Sequence, residues 1–213
     1  MSEPIEEEFE PPKLAPGSPQ VPGGVSLPQP GDRVFVDTNV MFHEWYRLPL
    51  AICAVQQFLH VSWSPYVAGE VARVATRNYA EKQLALNPSR VEVMRAIASV
   101  REEIDRVIER HERQWHSPDP EALTQVRPRA ARAPLKDEMD RPVLAGALAT
   151  GSTFLLSLDS GFAHGGQFED VVFWHPDTFL YTFFITNLDH YAVVREEMPS
   201  HPRAALRPQS AAP

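Results

Sequence analysis

Asp37 closes the short apolar run Val34-Phe35-Val36, and Asp159 closes the run from Thr153 to Leu158. If both runs are parallel strands of one sheet, their carboxylates emerge at the same edge. Asp140 opens the apolar stretch that leads into the second run. A helix of about 10 residues descends about 15 Å, and about six strand residues return about 18–20 Å, which brings Asp140 back to the edge where Asp159 emerges. Glu70 lies about a turn and a half into the helix expected after His60–Trp63, within side-chain reach of that edge. Four crowded carboxylates repel and raise one another's pKa, and a hard divalent cation relieves that penalty. Oxygen ligands suit Mg²⁺ or Mn²⁺. A single cysteine, Cys53, and eight scattered histidines argue against zinc. A cation so held polarises a phosphate and acidifies water, which is the chemistry of phosphodiester hydrolysis, with no need of a nucleophilic serine or catalytic histidine. Taken singly, each acid has a plainer role: Asp37 as a turn or cap residue, Asp140 as a helix cap, Glu70 as a solvated helical residue. It is the four together that point to a metal.

The elements that must position these acids alternate between strand and helix. Strands are expected at Val34–Val36, His60–Trp63, Thr153–Leu158 and Val171–Trp174. Helical spacing runs over 40–59, with Pro49 as a break or a start. Ser64-Pro65 supplies an N-cap and first-turn proline for a helix carrying Val67, Val71 and Val74. Ser89-Arg90-Val91-Glu92 fits a capping box opening an amphipathic helix to about Trp115, in which His111 and Trp115 stand one turn apart and pack together. Residues 116–136 read as a loop broken by Pro118, Pro120, Pro128 and Pro134. Further helices are expected at about 140–150, ending at Gly151, and at 177–187 after Pro176. This order predicts an α/β fold with a central parallel sheet.

The chain has 213 residues, a net charge of −8 and 43% hydrophobic residues. That is enough apolar material for a core, and the bulk charge excludes a basic protein that coats nucleic acid. Half of the charge, −4, sits in residues 1–31, which hold eight prolines and no apolar periodicity and are expected to be a disordered tail. Residues 199–213 read likewise, leaving a domain at 32–198. One cysteine excludes an internal disulfide, and Cys53 reads as a buried small hydrophobe. No run of about 20 apolar residues is present and the N-terminus is acidic, so a soluble, cytoplasmic protein with no membrane partner is expected. Between Arg73 and Arg132 the local balance is +3. Arg127, Arg129, Arg132 and Lys136 precede the acidic cluster and are read either as a solvated loop or as phosphate contacts. His164 is a loop histidine that could reach a substrate. The apolar run Phe179–Ile185 predicts a helix covered on two sides, for which a homodimer contact is one explanation.

The segments VFVDTNVMF, HVSWSPYVAGEVARV and DEMDRPVLAGALATGSTFLLSLDSGF resemble the PIN-domain family of metal-dependent ribonucleases. VVFWHPDTFL is similar to the closing strand and helix start of a bacterial subgroup, so the likeness covers about residues 32–187. The resemblance implies a three-layer α/β/α domain in which Asp37, Glu70, Asp140 and Asp159 match the family's catalytic, metal-binding acids. Asn39 and Ser157 stand where the family places small polar residues that support the site. Asp137 is a further acid from which the metal could draw. The implied activity is Mg²⁺- or Mn²⁺-dependent endoribonuclease cleavage of RNA to a 5′-phosphate and a 3′-hydroxyl, in the setting of a toxin with an antitoxin partner. Two rivals are a phosphatase with Asp37 as nucleophile, disfavoured by Asn39 and only three lysines, and a non-catalytic RNA- or protein-binding module on the same fold.

Overall fold

The computed structural model describes residues 13–14, 17, 23–85, 89–162 and 165–198. Most of the two expected tails, and His164, lie outside these. The body starts earlier than residue 32: Val25 packs on the core, Pro28 is buried, and the Gly31 N–H donates to the Phe58 carbonyl at 2.8 Å.

Four short strands form the parallel part of a five-stranded sheet: β1 (Arg33–Val36), β2 (His60–Ser62), β3 (Phe154–Leu156) and β5 (Val171–Trp174). The order is β2-β1-β3-β5-β4, with Val36 opposite Leu156 and Leu156 opposite Trp174. β3 and β5 are wholly buried, as expected of strands with helices on both faces. The fifth strand, β4 (Gln167–Phe168), runs antiparallel to β5 and was not expected. Two residues are too few to show a pattern.

Helices cover both faces. α1 (Thr38–Met41) and α2 (Glu44–Val55) lead from β1 to β2. α2 continues through Pro49, which is buried beside Tyr46, Leu50 and Cys53, so this proline neither breaks nor starts the helix. α3 (Pro65–Leu84) and α4 (Arg90–Glu112) form a long hairpin, and α4 opens on the expected Ser89–Glu92 capping box. His111 and Trp115 pack edge to face at 4.7 Å, with Trp63 against both.

Residues 116–136 are not a loop throughout, because Pro120–Ala130 forms α5. Asp119 caps it through the Ala122 N–H at 2.7 Å, Pro120 takes the first position, and Pro128 falls in the last turn. A proline at the first position costs little, whereas Pro128 has no N–H to offer the Thr124 carbonyl and so loosens the last turn. A 3₁₀ turn (Glu138–Asp140) then leads into α6 (Arg141–Ala149). α7 (Pro176–Thr186) is followed by α8 (Leu188–Glu197), a second addition to the expected elements. α7 packs on α2 and α8, which cover its aromatic faces within the chain. Cys53 is buried, which pushes its thiol up to about 12 and leaves it inert. Among the described residues no helix is long and apolar enough to cross a membrane.

One contact sets the height of α6 over the sheet. A Cβ built on Gly146 would stand 2.7 Å from Phe35 Cε2, so only glycine allows the helix to lie this close to β1. That approach delivers Asp140, at the head of α6, to the carboxyl edge of the strands.

Candidate metal centre

Asp37 is the residue after β1 and the cap of α1. One carboxylate oxygen accepts from the Thr38 N–H at 2.6 Å. The other accepts from Ser157 Oγ at 2.6 Å and Asn39 Nδ2 at 2.9 Å. Ser157 Oγ also accepts from the Asp159 N–H at 2.9 Å, and Asn39 Oδ1 from the Leu158 N–H at 2.9 Å. Asn39 and Ser157 therefore fasten the end of β1 to the end of β3, holding Asp37 and the Asp159 backbone in one bonded group. This is the supporting position expected of both.

Glu70 reaches the same place from α3. Its Oε2 accepts from Thr38 Oγ1 at 3.0 Å, and its Oε1 pairs with Arg73 at 3.2 Å. Thr38 thus ties Asp37 and Glu70 together, one through its backbone and the other through its hydroxyl. Asp159 is exposed, with Oδ1 accepting from the Gly161 N–H at 2.7 Å. A Cβ on Gly161 would fall 2.5 Å from Asp140 Oδ2 and 3.3 Å from Asp159 Oδ1, so these two carboxylates face the same small space. Asp137 caps the 3₁₀ turn, accepting from the Met139 N–H at 2.8 Å, and is exposed beside the cluster.

The electrostatics follow from this crowding. Burial pushes Asp37, 5% exposed, up to about 6; its bonds from Ser157 and Thr38 pull it down, and Glu70 and Asp159 add to the rise. Burial also raises Asp140 to about 6, with Asp159, Asp37, Asp137 and Glu70 all pushing the same way. All four expected acids therefore share one field. The sequence matches no protein-family model, and no curated protein matches it. The chemistry has to be read from the residues themselves.

A hard cation fits the donor set. Asp140 Oδ2 is buried with no hydrogen-bond partner, and it faces the space that a side chain on Gly161 would occupy. A buried carboxylate oxygen with no donor is costly unless something positive meets it. Among the described residues, no three His, Cys, Asp or Glu side chains already stand in a metal-holding arrangement. The bonds to Thr38, Arg73 and Gly161 engage Glu70 and Asp159 individually, so a cation would have to draw these two inward.

Arg129 and Arg132 of the expected basic run stand elsewhere. Arg129 pairs with Glu169 in the turn between β4 and β5, through Nε at 3.2 Å and through a second, shorter contact. That turn precedes β5 and so lies at the edge opposite the acids. Arg132 adds its charge to the same Glu169 and donates to the Pro128 carbonyl at 3.3 Å. Arg127 lies in the last turn of α5, and Lys136 is exposed in the approach to the 3₁₀ turn. Sequence reasoning passed over Thr38, Tyr66 and Arg73. The Tyr66 hydroxyl is pushed up by partial burial and by Glu70, Asp37 and Asp140, with Arg73 opposing, so it stands beside the cluster. The available signal was helical spacing: Tyr66 and Arg73 lie four before and three after Glu70.

Proposed function

We propose that the protein is a Mg²⁺- or Mn²⁺-dependent endoribonuclease of PIN type, with Asp37, Glu70, Asp140 and Asp159 as its acids. The observation that carries this reading is the unpartnered, buried Asp140 Oδ2 facing Asp159 beside Gly161, with Asp37 and Glu70 in the same field. When bound, the cation supplies neutralisation of the phosphate and a lowered pKa for water. The chain's own part is positioning. Ser157, Asn39 and the Thr38 N–H fix both oxygens of Asp37, so the deepest ligand does not turn. Thr38 Oγ1 and Arg73 hold Glu70 at the rim. The Gly161 N–H sets Asp159 opposite Asp140 and leaves its second oxygen for the metal. Within this class we place the protein as the toxin of a toxin–antitoxin pair.

Purified protein incubated with RNA should cut it with Mn²⁺, and the products should carry 5′-phosphates. Chelator, Asp37→Asn and Asp159→Asn should each abolish cutting. Cleavage that persists in chelator or in both variants rejects the metal mechanism, and no cleavage of any RNA moves the reading to a binding module. Arrest of a host on expression, relieved by Asp37→Asn, tests the toxin setting.

A further inference from the structure

Tyr66, Glu70, Arg73 and Arg77 follow one another along α3 at intervals of four, three and four residues. At about 100° per residue they fall within about 60° of each other, forming one stripe along the helix. Val67 and Val71 are buried on a different azimuth, against the body, so the stripe lies off the buried face and runs outward from the acids along α3. Its start is at the acids: the Tyr66 hydroxyl lies 3.5 Å from the Met139 carbonyl, next to Asp140, while the half-buried ring packs against the margin of the core. Met139 itself is 61% exposed, an apolar side chain left in water between two acids. The stripe continues into positive charge. The Arg73 and Arg77 side chains are 60% and 57% exposed; Arg73 pairs with Glu70 at 3.2 Å, a carboxylate that a bound cation would share, and Arg77 has only a loose contact to Glu81 at 3.8 Å.

We propose that this stripe is the substrate track of the nuclease, in which Tyr66, edged by Met139, stacks an unpaired base while Arg73 and Arg77 take successive phosphates of the same single strand. A half-buried aromatic ring at the margin of the acids, followed by cations along a helix, suits a polynucleotide whose bases are free to stack. A duplex keeps its bases stacked on one another and cannot use Tyr66. The track takes the place of Arg129 and Arg132 as the basic element of the site, since these two are committed at the far edge. It rests on the nuclease reading but is tested apart from it.

Binding of the full chain to a labelled single-stranded RNA and to the matching duplex is read by fluorescence anisotropy in chelator, so that no cleavage interferes. Wild type should prefer the single strand. Tyr66→Ala should weaken single-strand binding by about fivefold to a hundredfold and remove the preference, whereas Tyr66→Phe, which keeps the π-face, should stay within about twofold. Arg77→Gln should make the plot of log affinity against log salt shallower by about 0.7. Arg77 touches no metal-binding acid, so this slope is independent of Glu70. Equal binding of strand and duplex, or wild-type affinity and slope in both Tyr66→Ala and Arg77→Gln, overturns the track. If binding depends on Tyr66 and Arg77 while Mn²⁺ elicits no cleavage, the nuclease reading fails and the track stands. If cleavage depends on Asp37 while these variants bind normally, the track fails alone.

Discussion

The buried Asp37 gives the metal-free protein a pH dependence whose sign is set by the site. In the fold its carboxyl titrates at about 6 against an ordinary value of 3.8, chiefly because burial disfavours its charge. The folded protein therefore holds this proton more tightly than the unfolded chain does. Its contribution favours folding at low pH and turns against it as pH rises from about 4 through about 6. The difference between the two values corresponds to about 3 kcal/mol at pH 8, of which about half is already lost at pH 5, leaving about 1–2 kcal/mol between the two. For a chain of this size that is a melting shift of about 3–6 °C. Asp37→Asn cannot titrate, so its melting temperature in chelator should fall less between pH 5 and pH 8 than that of wild type, by that amount. The comparison cancels the bonds from Ser157 and Asn39 that the amide satisfies less well, because their loss is the same at both pH values. Mn²⁺ should then stabilise wild type at pH 8 by about 2.7 kcal/mol at a hundredfold excess over its dissociation constant and leave Asp37→Asn nearly unmoved. Parallel pH profiles for the two proteins, or equal stabilisation of both by Mn²⁺, would refute the argument that burial and a missing cation govern this carboxyl.

Gly161→Ala puts a methyl group against Asp140 Oδ2 and should weaken Mn²⁺ binding by about tenfold or more in calorimetry, with a small change in melting temperature. Ser157→Ala removes the donor to Asp37 and the acceptor for the Asp159 N–H, and should cost about 1–3 kcal/mol in denaturant unfolding. Gly146→Ala forces α6 away from Phe35 and should cost about 1–3 kcal/mol, lowering Mn²⁺ affinity as Asp140 is displaced. Arg129→Gln should leave RNA affinity unchanged where Arg77→Gln reduces it, because its partner is Glu169 at the opposite edge.

The parallel sheet was legible because three of its four strands, β1, β3 and β5, hold short apolar runs stopped by a polar residue, and parallel strands are buried on both faces. The positions of Asp37, Asp140 and Asp159 followed from strand ends and helix length alone. What escaped had specific causes. Four prolines masked α5, since a proline at the first position or in the last turn reads the same as a breaker until Asp119 is recognised as the cap. α8 begins at Asn187, which also ends α7 and makes no side-chain cap bond to its first turn. The support from Thr38 Oγ1 to Glu70 spans 32 residues and depends on how α1 sits against α3, which no local pattern encodes. The basic residues were sought in the loop where they are most concentrated, while those beside the acids lie on the same helix as Glu70.

The bond from Ser157 to Asp37 joins residues 120 positions apart. Its consequence concerns the order in which the protein comes into being. A chain emerging N-terminal end first presents Asp37 and Glu70 long before it possesses Asp140, Asp159 or the strand that fastens them. Any growing polypeptide that stops short of β3 has at most three of the four carboxylates, Asp37, Glu70 and Asp140, and no Ser157 clasp. The four carboxylates are thus brought together only after β3 and the turn that follows it have been made.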